Sequence, residues 1–284
     1  MSPLLQYQSA GGVTLGLTGP TIHLLGLSDS GVAPAEHQTV RTPGRDGETW
    51  VSTRFAPRFI IARVLVIADT WSALHEARRD VAQALNPKLG PGVLRYQPVD
   101  DGPTYEIGAH YAGGAGFGDT FGFAENLSLS FRCPDPAWRV TPRVSTALDL
   151  VAGGLSFPVS FPVSFTATGG SQAVNNTGDL TSEPVFVLTA SAGGLTDPVF
   201  ANETTGKRFA LSGGAGLSLL EDESVTVDMR ARTARTDDGT NVMGLRSADS
   251  EMWSLEPGVN EVSVTAASGA GTTVLSYWRL LSGV

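Results

Sequence analysis

The hydrophobic pattern of this chain changes period several times, and those changes predict its elements. Over residues 1–36, short apolar runs such as Val13-Thr-Leu-Gly-Leu17 and Ile22-His-Leu-Leu25 alternate with Gly, Ser and Pro, which reads as strands joined by turns. Phe59 to Ile67 is almost continuously apolar and rich in β-branched residues, so it is expected to be a largely buried strand. The period then shifts to 3.6. Leu74, Ala77, Val81, Ala84 and Leu85 fall on one face of a helix predicted from about Asp69 to Asn86, capped by Asp69 or Thr70 and ended by Asn86-Pro87. Leu89 to Tyr96 makes a turn and a strand, and Asn126-Leu-Ser-Leu-Ser-Phe131 alternates as a half-buried strand should.

Pro134 and Pro136 stop that strand, because neither nitrogen can donate to a sheet ladder. The stretch Phe131 to Val140, FRCPDPAWRV, therefore reads as a hinge between two β-rich halves. Beyond it lies Ser156-Phe-Pro-Val-Ser-Phe-Pro-Val-Ser-Phe165, whose prolines permit an edge strand or an extended arm. From Asn176 onward strands recur about every ten residues, the spacing of a sandwich. They include Pro184–Leu188, Arg208–Leu211, Ser224–Asp228, Asn260–Val264 and Thr273–Trp278. The chain is expected to be mainly β, with an N-terminal β domain over 1–138 that contains the helix, a linker or arm over 139–175, and a C-terminal β-sandwich over 176–284.

Composition narrows the function classes. A hydrophobic content of 41% supports real cores, while 34 glycines and 17 prolines favour short strands and many turns. The single cysteine, Cys133, permits no internal disulfide. Net charge is −9, unevenly divided: −2 over residues 1–140 and −7 over residues 141–284. Such a chain lacks the phosphate-neutralising patch of a tight nucleic-acid binder. The longest apolar run carries Arg63 and is too short to span a bilayer, so no membrane insertion is expected. The N-terminus has no basic segment followed by an apolar core, so no secretion signal is expected, and the sequons at Asn126, Asn175 and Asn202 carry no meaning.

Candidate chemistry is sparse. His75-Glu76 lacks the second histidine of a zinc helix, since Arg79 holds that place. The glycines from Gly113 to Gly118 lack the Lys-Ser/Thr of a phosphate loop, and His23, inside an apolar run, is expected to pack in the core. Asp100-Asp101, Glu221-Asp222-Glu223 and Asp237-Asp238 all fall where turns are expected, and Gly-x-Ser-x-Gly is absent, so no enzyme and no cofactor are expected. Arg41, Arg45, Asp46 and Glu48, around the turn dipeptides Pro43-Gly44 and Asp46-Gly47, read either as a solvated loop or as one that pairs with a neighbouring subunit.

Several motifs, taken in order, resemble the distal tail proteins of long, non-contractile bacteriophage tails. They are Pro57-Arg58 before an apolar strand, Leu85-Asn-Pro-Lys-Leu-Gly-Pro-Gly-Val-Leu94, Phe131-Arg-Cys-Pro-Asp-Pro-Ala-Trp138, the Phe-Pro repeat, Asn176-Thr-Gly-Asp179, Pro184-Val-Phe186, Asn202-Glu-Thr-Thr-Gly206 and Leu255-Glu-Pro-Gly-Val-Asn260. The resemblance spans roughly residues 11–280 and rests on their order rather than on one motif. It implies a galectin-like or carbohydrate-module-like C-terminal sandwich and an N-terminal domain that assembles into a homo-hexameric ring. That ring would join the tail tube protein to the tail-tip, tail-associated, receptor-binding or other baseplate proteins, and would let DNA through without binding it tightly. The location implied is the tail tip of the virion, after assembly in the bacterial host cytoplasm. The alternative reading is a carbohydrate-binding module for attachment to a host surface, with Trp253, Tyr277 and Trp278 as a stacking platform.

Overall fold

A computed structural model describes residues 3–118, 120–152 and 170–284 of the chain. The Phe-Pro repeat at 156–165 lies outside the described residues. The chain divides into two compact units: Met1–Thr141 together with Leu281–Val284, and Pro142–Leu280.

The first unit begins with β1 (Leu4–Gln8), β2 (Thr14–Gly16) and β3 (Ile22–Ser28). The hairpin β4 (Ala35–Val40) and β5 (Thr49–Phe55) follows, then β6 (Arg58–Ile67), α1 (Trp71–Ala84), β7 (Gly92–Gln97), β8 (Thr104–Gly113), β9 (Thr120–Phe121) and β10 (Ala124–Cys133). Neighbouring strands pair antiparallel in the run β2–β1–β7–β8–β10–β6–β3. Strand β8 bridges the run's two parts: Tyr105–Ala109 pair with β7, and His110–Gly113 pair with β10. Gly92 makes the β1–β7 approach possible, since a Cβ there would lie 2.4 Å from the Gln8 carbonyl oxygen.

Helix α1 starts at Thr70, whose Oγ1 accepts from the Ala73 N–H at 3.2 Å. Its apolar face, Leu74, Ala77, Val81 and Ala84, is buried together with Leu85, and the helix packs against β2 and β6. The Phe131–Val140 stretch belongs to the same core: Phe131, Cys133 and Trp138 are fully buried, and the Trp138 indole donates to the Ser30 carbonyl. Residues 139–152, where a linker was expected, continue as strand β11 (Trp138–Ala152). Arg139–Thr141 pair with β8, and Leu150–Ala152 run parallel to Val264–Ala266 of the second unit.

Two expectations need correction. Strand β6 is buried on one face only: Ile60, Ala62, Val64 and Val66 are covered, whereas Phe59 is 49% and Ile67 42% exposed. Apolar residues on both faces do not say which faces find cover. His23 is exposed rather than a core residue, because the period of two that buries Ile22 turns it to the opposite face.

The second unit is a β-sandwich. Its strands are β12 (Gln172–Asn176), β13 (Val185–Thr196), β14 (Val199–Asn202), β15 (Lys207–Ala210), β16 (Ser218–Leu219), β17 (Ser224–Asp228), β18 (Thr233–Thr236), β19 (Gly258–Ala266) and β20 (Ser268–Leu281). One layer orders β18–β17–β13–β20, the other β15–β14–β19–β12. Phe186 packs against Phe200 and Trp253, with ring centroids 4.9 and 5.4 Å away. Three buried asparagines from the motifs quoted above fasten the loops. Asn176 donates to the Leu180 and Leu255 carbonyls, Asn202 to the Ser254 carbonyl and Asn260 to the Glu256 and Gly258 carbonyls. A buried amide satisfied this way replaces backbone partners that a loop cannot supply for itself.

Candidate functional site

The β4–β5 hairpin is the feature that stands apart from the first unit's core. Its six residue pairs form a separate two-stranded sheet. Every residue of β4 is exposed, and of β5 only Ser52 is partly covered. A two-stranded hairpin is marginal alone in water. This one is laced by side chains: Thr53 Oγ1 takes the Trp50 indole N–H at 2.8 Å and meets His37 Nδ1 at 2.9 Å, and Ser52 donates to Gln38 at 2.7 Å. Its exposed apolar residues are large, with Trp50 62%, Val40 55% and Val51 54% accessible.

The tip gathers Arg41, Arg45, Asp46 and Glu48. Arg41 donates from Nε and Nη2 to Glu48 Oε1 at 2.8 and 2.6 Å. Hydrogen bonds from Thr39 and then Arg41 hold the Glu48 carboxyl below its usual range. Gly44 and Gly47 take the left-handed backbone that closes the turn, with φ of +78° and +85°. The turn dipeptides mark this tip, and the structure adds the strands on either side and the exposed Trp50. The signal was there, in two six- to seven-residue runs flanking Pro-Gly and Asp-Gly.

The aromatics of the alternative reading do not share a platform. Trp253 and Tyr277 are buried, donating to the Phe200 and Asn175 carbonyls at 3.1 and 2.8 Å. Trp278 lies on the opposite parity of β20, partly covered, with the Arg143 guanidinium 5.1 Å over its ring. The strand's buried face is Thr273, Leu275 and Tyr277, so Tyr277 and Trp278 point to opposite sides of β20. Asp100, Asp101, Asp222 and Asp238 sit in exposed turns, the first unit's Asp101 and the second's Asp222 with positive φ.

Cys133 is the one nucleophilic side chain of note, and burial pushes its thiol up to about 12 against the weaker opposing pull of Arg58. A thiolate is the reactive form, so the folded protein should resist iodoacetamide at pH 8 and react only once unfolded. Rapid alkylation of the native chain would contradict the packing. The same shift is linked to stability: burial favours the neutral thiol, so its contribution is complete below about pH 9 and is lost as pH rises from there through about 12.

Among the described residues, no group of three or more His, Cys, Asp or Glu side chains is placed to hold a metal, and no helix is long and apolar enough to cross a membrane.

Residues 13–108 match the phage tail protein RIFT-related domain, and residues 177–279 match the C-terminal domain of siphovirus-type tail components. One match falls in each unit, which defines a siphovirus-type phage tail component. The fold agrees over nearly the whole chain with the crystal structure of the Dit protein of phage SPP1, described as a hub of the adsorption apparatus in phages infecting Gram-positive bacteria. That likeness has a TM-score of 0.71 at 17% identity and covers 96% of this chain and 98% of that one. A chain of the phage p2 baseplate, in its activated conformation with calcium, is also similar, with a TM-score of 0.52 at 10% identity over the full length of both. Among curated protein sequences none matches. The chain belongs to the distal tail (Dit) protein family of siphophage tails.

Proposed function

We propose that this protein is a structural hub at the tail tip, six copies closing into a ring that joins the tail tube protein to tail-associated, receptor-binding or other baseplate proteins. The observation that carries the reading is the β4–β5 hairpin. It is a separate sheet with Trp50, Val40, Val51 and Phe55 exposed, an arrangement that gains its stability by covering those residues against another chain. A ring needs a heterologous contact, two different patches per copy. The hairpin supplies one, and the outer row of β6, with Phe59 and Ile67 exposed on either side of Arg63, offers a counterpart. The tip residues Arg41, Arg45, Asp46 and Glu48 set the register of that contact. Whole-protein acidity suits a conduit that DNA crosses without being held, because each cation on a phosphate would add salt-dependent affinity. Such a protein works by shape at the tail tip after assembly in the host cytoplasm, not by turnover.

Mass photometry of the purified chain, with tail tube protein added if it stays monomeric, tests this. Wild type should form hexamers with an open centre by negative stain. Trp50→Ala with Val51→Ser should shift the population to monomer while leaving the melting temperature within a few degrees, since neither side chain reaches the core. A chain that never assembles, alone or on tail tubes, would defeat the proposal.

A further inference from the structure

Residues 141–284 carry 15 carboxylates and 8 cations, yet at one end of the sandwich that balance reverses. A concavity of about 210 Å³ is lined by Lys207, Arg230 and Arg232, with a single carboxylate, Glu183, and Trp253 beside them. Four separated segments supply these residues: the start of β15, the β17–β18 turn, the stretch leading into β13 and the loop before β19. Backbone bonds join the segments in pairs: the turn to the stretch before β13, and β15 to the loop before β19 through the Glu251 N–H, which donates to the Arg208 carbonyl at 2.8 Å. The Asp228 carboxylate accepts from the N–H groups of Arg230 and Ala231 at 2.9 and 2.8 Å, and Met229 N–H donates to the Pro184 carbonyl at 3.1 Å. The Trp253 indole is anchored on Phe200. Among the described residues, neither Lys207 nor Arg232 has an ion-pair partner, although carboxylates outnumber cations almost two to one around them.

We infer that this concavity binds the phosphate group of a phosphorylated polyol or saccharide. Guanidinium forks match phosphate oxygens, and Lys207 and Arg232 bring two charges to one concavity. Glu183 would repel a bare anion, so the ligand must also bring hydroxyl donors for it, which a phosphorylated polyol has. A long nucleic acid fits poorly, since the rest of this unit is acidic and would oppose its backbone. The reading does not depend on the ring: it concerns a different unit and a different class of partner.

Calorimetric titration of the full-length protein at low salt provides the test, with glycerol 3-phosphate, inorganic phosphate and glycerol as probes. Glycerol 3-phosphate should saturate, inorganic phosphate should bind more weakly, glycerol should give no heat, and added salt should weaken both phosphates. The double variant Lys207→Gln, Arg232→Gln should lose at least about tenfold in affinity, consistent with removing two charge-assisted contacts. Both side chains are exposed, so an unchanged melting temperature will show the variant to be folded. Glu183→Gln should narrow the gap between the two phosphates. Equal affinity for both in wild type would make free phosphate the ligand and remove Glu183 from recognition. Absence of saturable binding to either, or unchanged affinity in the double variant, would overturn the site.

Discussion

Arg58→Met should lower the stability of the N-terminal unit by about 3–5 kcal/mol, the sum expected for two strong hydrogen bonds from a charged donor. Arg58 is 1% exposed and, among the described residues, forms no ion pair; it is held by carbonyls, with the Asp29 charge in its surroundings. Nη1 donates to Gly31 at 2.6 Å and reaches Ser30 and Asp29 at 3.3 and 3.4 Å, while Nη2 donates to Ser282 at 2.5 Å. The guanidinium thus ties the loop between β3 and β4 to Ser282, which lies 224 positions beyond Arg58 in sequence. Burial lowers its pKa, but an arginine stays charged there. Two backbone bonds reinforce the tie, from Ala33 N–H to Ser282 and from Val284 N–H to Ser30, both 3.0 Å. Deleting residues 282–284 should therefore cost less than Arg58→Met, and the two changes together should cost less than their sum. Calorimetry that found the two effects additive would show that Arg58 acts elsewhere.

The second large effect is expected at the contact between α1 and β10. Glu125 is buried, and its oxygens receive Arg78 Nε at 2.9 Å, Arg78 Nη2 at 3.0 Å and the Gly118 N–H at 2.8 Å. Arg78 also lies 5.6 Å over the Phe117 ring, so helix, strand and glycine-rich loop meet at one carboxylate. Arg78→Ala leaves that carboxylate in the interior without its cation, a change that typically costs about 3–5 kcal/mol. Replacing both partners, Arg78→Leu with Glu125→Leu, should recover most of the loss, because the isolated charge rather than the missing attraction is what destabilises. Denaturant melts of wild type, Arg78→Ala and the double variant decide it; a double variant no better than Arg78→Ala would mean the Gly118 contact dominates.

The residues that were readable in advance are those whose role is local. Leu74, Ala77, Val81 and Ala84 declare a helix face by spacing alone, and Thr70 caps it through a partner three residues on. Asn176, Asn202 and Asn260 sat in recognisable motifs, although what their amides hold became visible only once β12, β14 and β19 were side by side. Arg58 and Glu125 were unreadable for the opposite reason: their partners lie at 282 and 78, and nothing local marks those pairings. Strand β6 and the two buried aromatics failed on cover. Phe59 looks like a core residue and Trp253 like a surface one until the neighbours that hide or expose them are in place.

The chain's path also has a consequence for its synthesis. The N-terminal unit is Met1–Thr141 completed by Leu281–Val284, so all of Pro142–Leu280 is inserted within it. Domains tend to fold as they leave the ribosome, N-terminal first. Here the unit that is begun first is finished last, because Arg58 waits for Ser282 until the whole sandwich has been translated. A chain broken off anywhere inside the second unit can never close the first. Such an unfinished copy would compete poorly for a place in an assembly, and the order of translation would itself screen the building blocks.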